Sequence, residues 1–143
     1  MELIIKAFDQ LDTQELYEIL KLRMAVFVVE QRCPYQDIDG LDMEACHVWL
    51  REGGQIQAYL RVLSKDAATA HIGRVLTARR GRGCGAQILK AGIAVAKEQM
   101  KKQAIYIEAQ SYAAGFYARE GFRVISEEFL EDGIPHVKML LTF

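Results

Sequence analysis

Residues 79–94 read RRGRGCGAQILKAGIA, so a short loop rich in glycine and arginine stands directly before an apolar, alanine-rich run. In and after that run, hydrophobic residues recur at spacings of four, three and four, which predicts an amphipathic helix to about Lys102. These residues are Leu89, Ile93, Ala96 and Met100. Because the residues before the loop, AHIGRVLT (70–77), have the pattern of a strand, the loop opens a helix and presents free backbone amides. The positive end of the helix dipole there favours a phosphate ligand.

Length and composition limit the class of protein. The chain has 143 residues, 51% of them hydrophobic and 26% charged, which predicts a single domain spanning 1–143. A formal net charge of −1 favours neither nucleic acid nor a membrane surface as a partner. No apolar run reaches the roughly 20 residues of a membrane span, and the start MELIIKAFDQ lacks the pattern of a leader. We therefore expect a cytoplasmic protein.

The rest of the chain alternates between helix and strand signals. ELIIKAF (2–8) is a predicted strand, and DTQE (12–15) is a capping box that opens a helix to about Glu30. The apolar residues assigned to the buried face of that helix are Leu16, Leu20, Met24 and Phe27. Gly53-Gly54 joins the strands of a hairpin, and AHIGRVLT follows it.

The second half continues with AIYIEA (104–109) as a strand and YAAGFYARE (112–120) as a short helix. FRVISEEFL (122–130) and HVKMLLTF (136–143) are a predicted last pair of strands. The order is therefore strand, helix, three strands, helix, strand, helix, two strands. This order predicts an α+β fold with a sheet of mixed direction.

The cysteines are three in number, widely spaced, and are expected to be free thiols. Two other interpretations of them stay open. Cys33 and Cys46 could hold zinc together with His47, although there is no C-x-x-C pair and no metal is expected. Cys84, near a predicted helix start, could be a nucleophile rather than a small packed residue.

Several kinds of loop could account for the glycines. A P-loop is excluded, because GCGAQ lacks the Lys-Ser/Thr pair. Gly81 to Ala86 matches the G-x-G-x-x-A dinucleotide fingerprint, and Glu108 stands where its ribose-binding acid would be. Only one short helix and a hairpin are predicted after Glu108, too few for a Rossmann domain. A structural turn without a ligand is a further alternative.

Two motifs resemble the signature of the GNAT N-acetyltransferases. Arg80-Gly-Arg-Gly83-Cys-Gly85 resembles the R-x-x-G-x-G loop that binds the coenzyme A pyrophosphate in that family. Gln110-x-x-Ala113-x-x-Phe116-Tyr117 before Gly121-Phe122 resembles the family's N-x-x-A-x-x-F-Y…G-F helix, with glutamine replacing the usual asparagine. VFVVEQRCPYQDIDGLD (26–42) and LEDGIPHVKM (130–139) are similar to the ElaA-like branch. The resemblance covers nearly the whole chain.

The resemblance implies a three-layer fold whose sheet is mostly antiparallel and splays apart in a central V, with acetyl-CoA as the co-substrate. The pantetheine arm would lie in the V beside main-chain groups near Val75 and Thr77, and an amide near Leu76 would bind the oxyanion. A bulge should interrupt that strand, since Ile72 and Val75 are three positions apart around Gly73. The residues implied to contact coenzyme A are Val75, Leu76, Thr77, Arg80, Gly81, Arg82, Gly83, Cys84, Gly85, Ala86, Gln110 and Phe116.

The reaction implied by the resemblance is direct attack of an amine on the thioester. Tyr117 would protonate the leaving thiolate, because a phenol with a pKa near 10 keeps its proton at neutral pH. Glu108 is the first candidate for the general base. The other base candidates are His47, His136, Asp37, Asp39 and Asp42.

The acceptor would be a small-molecule or peptide amine. By resemblance, Glu30, Gln31 and the aspartates after the first helix would line its side of the site, and their negative charge would favour a cationic acceptor. The resemblance is also compatible with a homodimer. A non-catalytic acyl-CoA or nucleotide-binding sensor remains the alternative function.

Overall fold

The computed structural model describes residues 1–79 and 81–143, so Arg80 lies outside the described residues. The strands are β1 Glu2–Ala7, β2 Cys46–Glu52, β3 Gln55–Ser64, β4 Thr69–Thr77, β5 Ala104–Gln110, β6 Arg123–Val124, β7 Phe129–Glu131 and β8 Ile134–Thr142. They form one sheet in the order β1-β2-β3-β4-β5-β8-β6, with β7 also paired to β8. Among the described residues only β4 and β5 run parallel, which confirms the predicted mixed sheet.

The helices are α1 Thr13–Arg23, α2 Cys84–Ala94 and α3 Ala114–Ala118, and 3₁₀ turns span Phe8–Gln10, Asp42–Glu44 and Ser111–Ala113. Two of the helices widen into π-helix, α1 over Met24–Glu30 and α2 over Val95–Gln99. The predicted capping box opens α1, since Glu15 N donates to Asp12 Oδ1 at 2.7 Å and Asp12 N donates to Glu15 Oε1 at 3.0 Å. None of the described helices is long and apolar enough to cross a membrane.

The sheet is covered on both faces. Alternate residues of β2 and β3 project to opposite sides, so Val48 and Leu60 join the core under α2, while Trp49 and Tyr59 pack with Ile19 of α1. Strand β3 is therefore buried on both faces, and even its polar residues Gln57 and Arg61 are buried. This arrangement confirms the three-layer architecture.

Helix α2 lies close against the sheet at Gly92. A Cβ built at that residue would stand 2.8 Å from Leu60 Cδ2 and 3.3 Å from Ile72 Cδ1, so a larger residue would require these side chains to shift. Of the predicted α2 stripe, Leu89 and Ala96 are buried in this core, and Ile93 and Met100 pack against it. The helical turns end at Gln99, shortly before the predicted end at Lys102.

Two local predictions were wrong. Met24 of the predicted α1 stripe is exposed, because the buried face runs through Ile19 and Arg23, one residue away from the assigned positions. The segment 122–130 is not one strand: it forms the short β6 and β7, separated by a loop and both paired with β8.

The central strands separate along their length. Pairing between β4 and β5 covers only Thr69 to His71 on one strand and Ala104 to Tyr106 on the other. Beyond those residues β4 continues along β3, and β5 continues along β8. The predicted V-shaped splay is confirmed, and among the described residues no strand pairs with the edge of β4 that faces β5 from Ile72 onward.

Candidate active site

The splay opens into a cleft of about 1110 Å³. Its walls come from the end of the α1 helix, the segment 33–42 (the aspartate loop), β4, the start of α2, β5, α3 and β8. Every described residue predicted to contact coenzyme A lines this cleft, as do Glu108 and Tyr117. The tertiary structure thus brings residues from both sequence motifs to one place.

The start of α2 forms one end of the cleft. Gly83 is the N-cap residue with φ +73°, a conformation that favours glycine, and no described side chain caps the helix. The first backbone bond of the helix runs from Gln87 N to Gly83 O, at 3.2 Å, which leaves the amides of Cys84, Gly85 and Ala86 without a partner in the helix. This is the arrangement that binds phosphate groups.

The side chains around these amides include an accessible arginine, a packed aromatic ring and a buried cysteine. Arg82 is about half exposed and lies 3.9 Å from Glu52, a long contact that leaves its guanidinium accessible. A Cβ at Gly85 would stand 3.3 Å from Phe116, so α3 packs directly on the start of α2. The Cys84 side chain is buried, as expected of a small packed residue rather than an accessible nucleophile.

Strand β4 carries the bulge predicted between Ile72 and Val75. Tyr59 pairs with Leu76 and Arg61 pairs with Gly73, so Arg74 and Val75 together stand opposite Leu60 alone. The extra residue turns the backbone of β4 at the point where it lines the cleft.

Tyr117 projects from α3 between two aromatic rings, with centroid distances of 5.0 Å to Phe116 and 5.9 Å to Phe122. Within the described residues its hydroxyl makes no hydrogen bond, and the residue lines the cleft. Burial raises the pKa of Tyr117 above its usual value, with a smaller contribution from Tyr112. The phenol therefore keeps its proton and is available to a ligand.

Glu108 of β5 and Glu131 of β7 form a carboxyl pair that lines the cleft. A hydrogen bond from Glu131 lowers the pKa of Glu108, and the Tyr106 hydroxyl strengthens this effect by donating to Glu108 Oε2 at 2.7 Å. Burial, the hydrogen bond to Glu108 and the repulsion between the two charges raise the pKa of Glu131 to about 7. The pair therefore shares one proton near neutral pH. Sequence reasoning missed Glu131, which stands in the polar turn EDGIP with no distinguishing signal.

The two histidines proposed as bases differ in their surroundings. His136 Nδ1 donates to Ile134 O at 2.7 Å, which leaves Nε2 facing Glu131 at 3.5 Å, beside the cleft. His47 is fully buried: its Nε2 donates to the Asp42 carbonyl at 2.9 Å, and its Nδ1 accepts from the Tyr59 hydroxyl at 2.7 Å. Burial lowers the pKa of His47, so it stays neutral with both nitrogens occupied, and it cannot act as a base in the cleft.

The aspartates are also not free bases. Asp37 and Asp42 are buried rather than facing water, and Arg23 binds both, at 3.0 Å and 2.6 Å. Arg61 binds Asp39 at 2.6 Å. Burial alone would raise the pKa of Asp39, but hydrogen bonds from Arg61 and the Leu41 amide hold it well below its usual range. The aspartates of this loop therefore belong to an ionic cluster with Arg23 and Arg61.

Gln110 connects two elements of the cleft wall. Gln110 Nε2 donates to Gln31 Oε1 at 3.1 Å, joining the end of β5 to the end of the α1 helix. The three cysteines are free, and the described part of the chain holds no group of three or more His, Cys, Asp or Glu side chains arranged for a metal ion.

Comparison with known proteins agrees with this geometry. The family model for an acetyltransferase (GNAT) domain matches residues 10–143. Protein ElaA of Escherichia coli K12 is 38% identical over 137 residues, covering 92% of this chain and 90% of ElaA. Its crystal structure superposes with a TM-score of 0.92 over 98% of both chains.

Two further structures are similar. A crystal structure of an acyl-CoA N-acyltransferase from Pseudomonas aeruginosa is 36% identical, with a TM-score of 0.93 over 99% of this chain and 100% of that one. A GNAT family acetyltransferase from Elizabethkingia anophelis with acetyl-CoA bound shares the fold at 17% identity, with a TM-score of 0.70 over 99% and 98% of the two chains. With the two motifs in one cleft and these matches over nearly its full length, the chain belongs to the ElaA-like branch of the GNAT acetyltransferase family.

Proposed function

We propose that this chain, as one domain spanning 1–143, transfers the acetyl group of acetyl-CoA to an amine by direct attack. The observation that carries this proposal is that the start of α2, the bulge of β4 and Tyr117 open on one cleft. The acetyl-CoA bound to the Elizabethkingia protein of the same fold supports the choice of donor. Thiol release from acetyl-CoA in the presence of amines tests the proposal, and a sensor would bind acetyl-CoA without that release.

Acetyl-CoA would enter with its pyrophosphate at the amides of residues 84–86 and its pantetheine in the V. Arg82 would pair with the pyrophosphate, as would Arg80, which lies outside the described residues. The unpaired edge of β4 would bond the pantetheine amides through main-chain groups of Val75 and Thr77. These groups match a ligand that is anionic at one end and carries peptide-like amides along its arm.

In the transfer step the amine nitrogen attacks the thioester carbon, and the oxygen of the tetrahedral intermediate accepts a hydrogen bond from an amide near Leu76. The carbon–sulfur bond then breaks as the carbonyl re-forms, and the thiolate takes the proton of the Tyr117 hydroxyl. The second proton, which the nitrogen releases as the amide forms, returns to the Tyr117 phenolate. The proton that the ammonium loses before attack goes to the Glu108–Glu131 pair. A doubly ionised pair with a proton affinity near neutral is a better base than a lone carboxylate.

The negative charge near the acceptor comes from the carboxyl pair and not from the ionic cluster of aspartates and arginines. Because arginines bind the three aspartates, those acids do not supply the negative charge that we expected them to offer. The Glu108–Glu131 pair supplies it instead, next to the splay where an amine would approach the thioester. A primary ammonium group on a small molecule or peptide suits this position.

The Arg82→Ala variant should bind acetyl-CoA about 10- to 100-fold more weakly, because a charge-assisted hydrogen bond to phosphate contributes about 1.5–3 kcal/mol. Calorimetry should show no change for a pantetheine fragment without the pyrophosphate. Lys90→Ala is the matched control, since Lys90 lies on the same helix, is ion-paired with Glu120 at 3.1 Å and does not line the cleft. Equal losses for both ligands would contradict the phosphate contact.

The rate should depend on pH through the carboxyl pair. As pH rises through about 7 the pair loses its shared proton and gains its basic form, so kcat/KM for the amine should rise with an inflection near that pH. The titratable or charged groups facing the pair are Tyr106, His71 and Lys138 around Glu108, and His136, Asp132 and Arg74 around Glu131.

The Glu131→Gln variant tests whether the carboxyl pair causes this inflection. It keeps a hydrogen-bond donor for Glu108 but removes the second charge. Its inflection should leave the neutral range, because Glu108 then titrates alone, and kcat/KM at pH 8 should fall about tenfold or more. Asp132→Asn removes the neighbouring exposed acid and should keep the inflection near 7. An inflection that survives in Glu131→Gln would assign the titration to another group.

A further inference from the structure

Arg74 occupies a backbone conformation that is unusual for its residue type. Four described non-glycine residues have positive φ: Arg32, Arg74, Lys101 and Asp132. Of these, only Arg74 lies inside a strand, with φ +55° at the bulge of β4. Glycine would adopt this conformation without strain, so an arginine here indicates that the side chain contributes something a glycine cannot.

The side chain of Arg74 reaches across the cleft edge to the aspartate loop. Its Nε lies 2.8 Å from Asp37 Oδ1, and its Nη2 donates to the Asp37 carbonyl at 3.1 Å and to Asp39 Oδ2 at 3.2 Å. Its guanidinium also stacks over the Tyr35 ring, 5.3 Å from the centroid. The aspartate loop is therefore tied to the bulge itself, and Arg23 on α1 and Arg61 on β3 also form ion pairs with it.

The two elements joined in this way carry different parts of the site. Val75 and Leu76, which follow Arg74 in β4, line the same cleft as Tyr35 and Asp39 of the aspartate loop. In the proposed function the β4 residues lie at the thioester and the loop lies where an acceptor would enter. A movement of the loop would therefore change the distance between the amine and the thioester carbon. Misplacement of about 1 Å is enough to slow a transfer step strongly.

We propose that Arg74 is a positioning residue, which fixes the acceptor-side aspartate loop to the β4 bulge and so holds the amine in line with the thioester. This inference rests on the proposed function. It assigns Arg74 no contact with either substrate: Arg74 acts through Asp37, Asp39 and the backbone of the bulge.

The decisive variant is Arg74→Gly, because glycine keeps the left-handed backbone and removes only the side chain. With acetyl-CoA as donor and 1,4-diaminobutane and Nα-acetyl-lysine amide as amine probes, kcat should fall at least tenfold and KM for the amine should rise. The affinity for acetyl-CoA, measured by calorimetry, should stay within about threefold. Arg74→Lys should recover part of kcat, since it restores the charge without the guanidinium fork.

Arg32→Gly is the matched control. It makes the same substitution at a similar backbone angle, φ +52°, in an exposed residue outside the cleft. Its kinetic constants should stay within twofold of the parent. A comparable loss of kcat in Arg32→Gly would show that the Arg74 effect is a general consequence of the substitution and would overturn the proposal.

A second measurement is independent of turnover. Hydrogen exchange of the amides in residues 35–42 should become at least tenfold faster in Arg74→Gly and remain unchanged in Arg32→Gly. Unchanged exchange in the loop would overturn the proposal, whatever happens to kcat. If the parent protein transferred no acetyl group to either probe, the proposed function would fail, and the exchange result would still decide whether Arg74 anchors the loop.

Discussion

Tyr117→Phe should lower kcat for acetyl transfer by about 10²-fold or more, while the affinity for acetyl-CoA changes by less than about threefold. The substitution removes one oxygen and keeps the ring, whose packing against Phe116 and Phe122 does not involve the hydroxyl. Only the proton available to the leaving thiolate is lost. Thiol-release kinetics give kcat, and calorimetry with acetyl-CoA gives the affinity.

The control for this variant is Tyr112→Phe. Tyr112 also lines the cleft, but it is 77% exposed, so loss of its hydroxyl should leave kcat within twofold of the parent. Unchanged turnover in Tyr117→Phe, with acetyl-CoA affinity preserved, would remove Tyr117 from the mechanism. A loss of affinity as large as the loss of kcat would indicate a disturbed fold instead.

Arg23→Met should lower the free energy of unfolding by about 3–5 kcal/mol, because it leaves two buried carboxylates without their shared partner. The Arg23 side chain is fully buried and binds Asp37 at 3.0 Å and Asp42 at 2.6 Å. Burial alone would lower the pKa of Arg23, but the Asp42 hydrogen bond and the neighbouring negative charges raise it. For a chain of this length the thermal midpoint should fall by about 10 °C or more, which calorimetric scanning measures.

Arg51→Met is the control for that loss. Arg51 pairs with Glu2 at 2.7 Å, a distance similar to those of the Arg23 pairs, but its side chain is 40% exposed. The substitution therefore removes an exposed ion pair instead of a buried one. Such pairs contribute about 0–1 kcal/mol, and the midpoint should move by only a few degrees. Equal effects of the two variants would show that burial of the ionic cluster adds nothing to its contribution.

Much of the fold could be predicted from the sequence because the signals are local. The capping box at Asp12, the Gly53-Gly54 hairpin and the α2 stripe each depend on residues within a turn or two of one another. The α1 face was misassigned because the buried stripe includes Arg23, a charged residue that a hydrophobic pattern does not count. The break between β6 and β7 is set by pairing with β8, and no pattern within 122–130 shows it.

The sequence by itself determined the glycine loop, the helix behind it and the helix that carries Tyr117, since each is a short pattern whose chemistry lies in its own residues. Only the tertiary structure decided the charges of the site. Whether an aspartate faces a substrate or an arginine, as Asp37 and Asp42 face Arg23, depends on contacts between segments 14 and 19 positions apart. The same holds for the pKa of Glu131, which is set by burial and by a neighbour on another strand. Such electrostatic effects depend on distance and solvent access in the folded chain, and spacing along the sequence records neither.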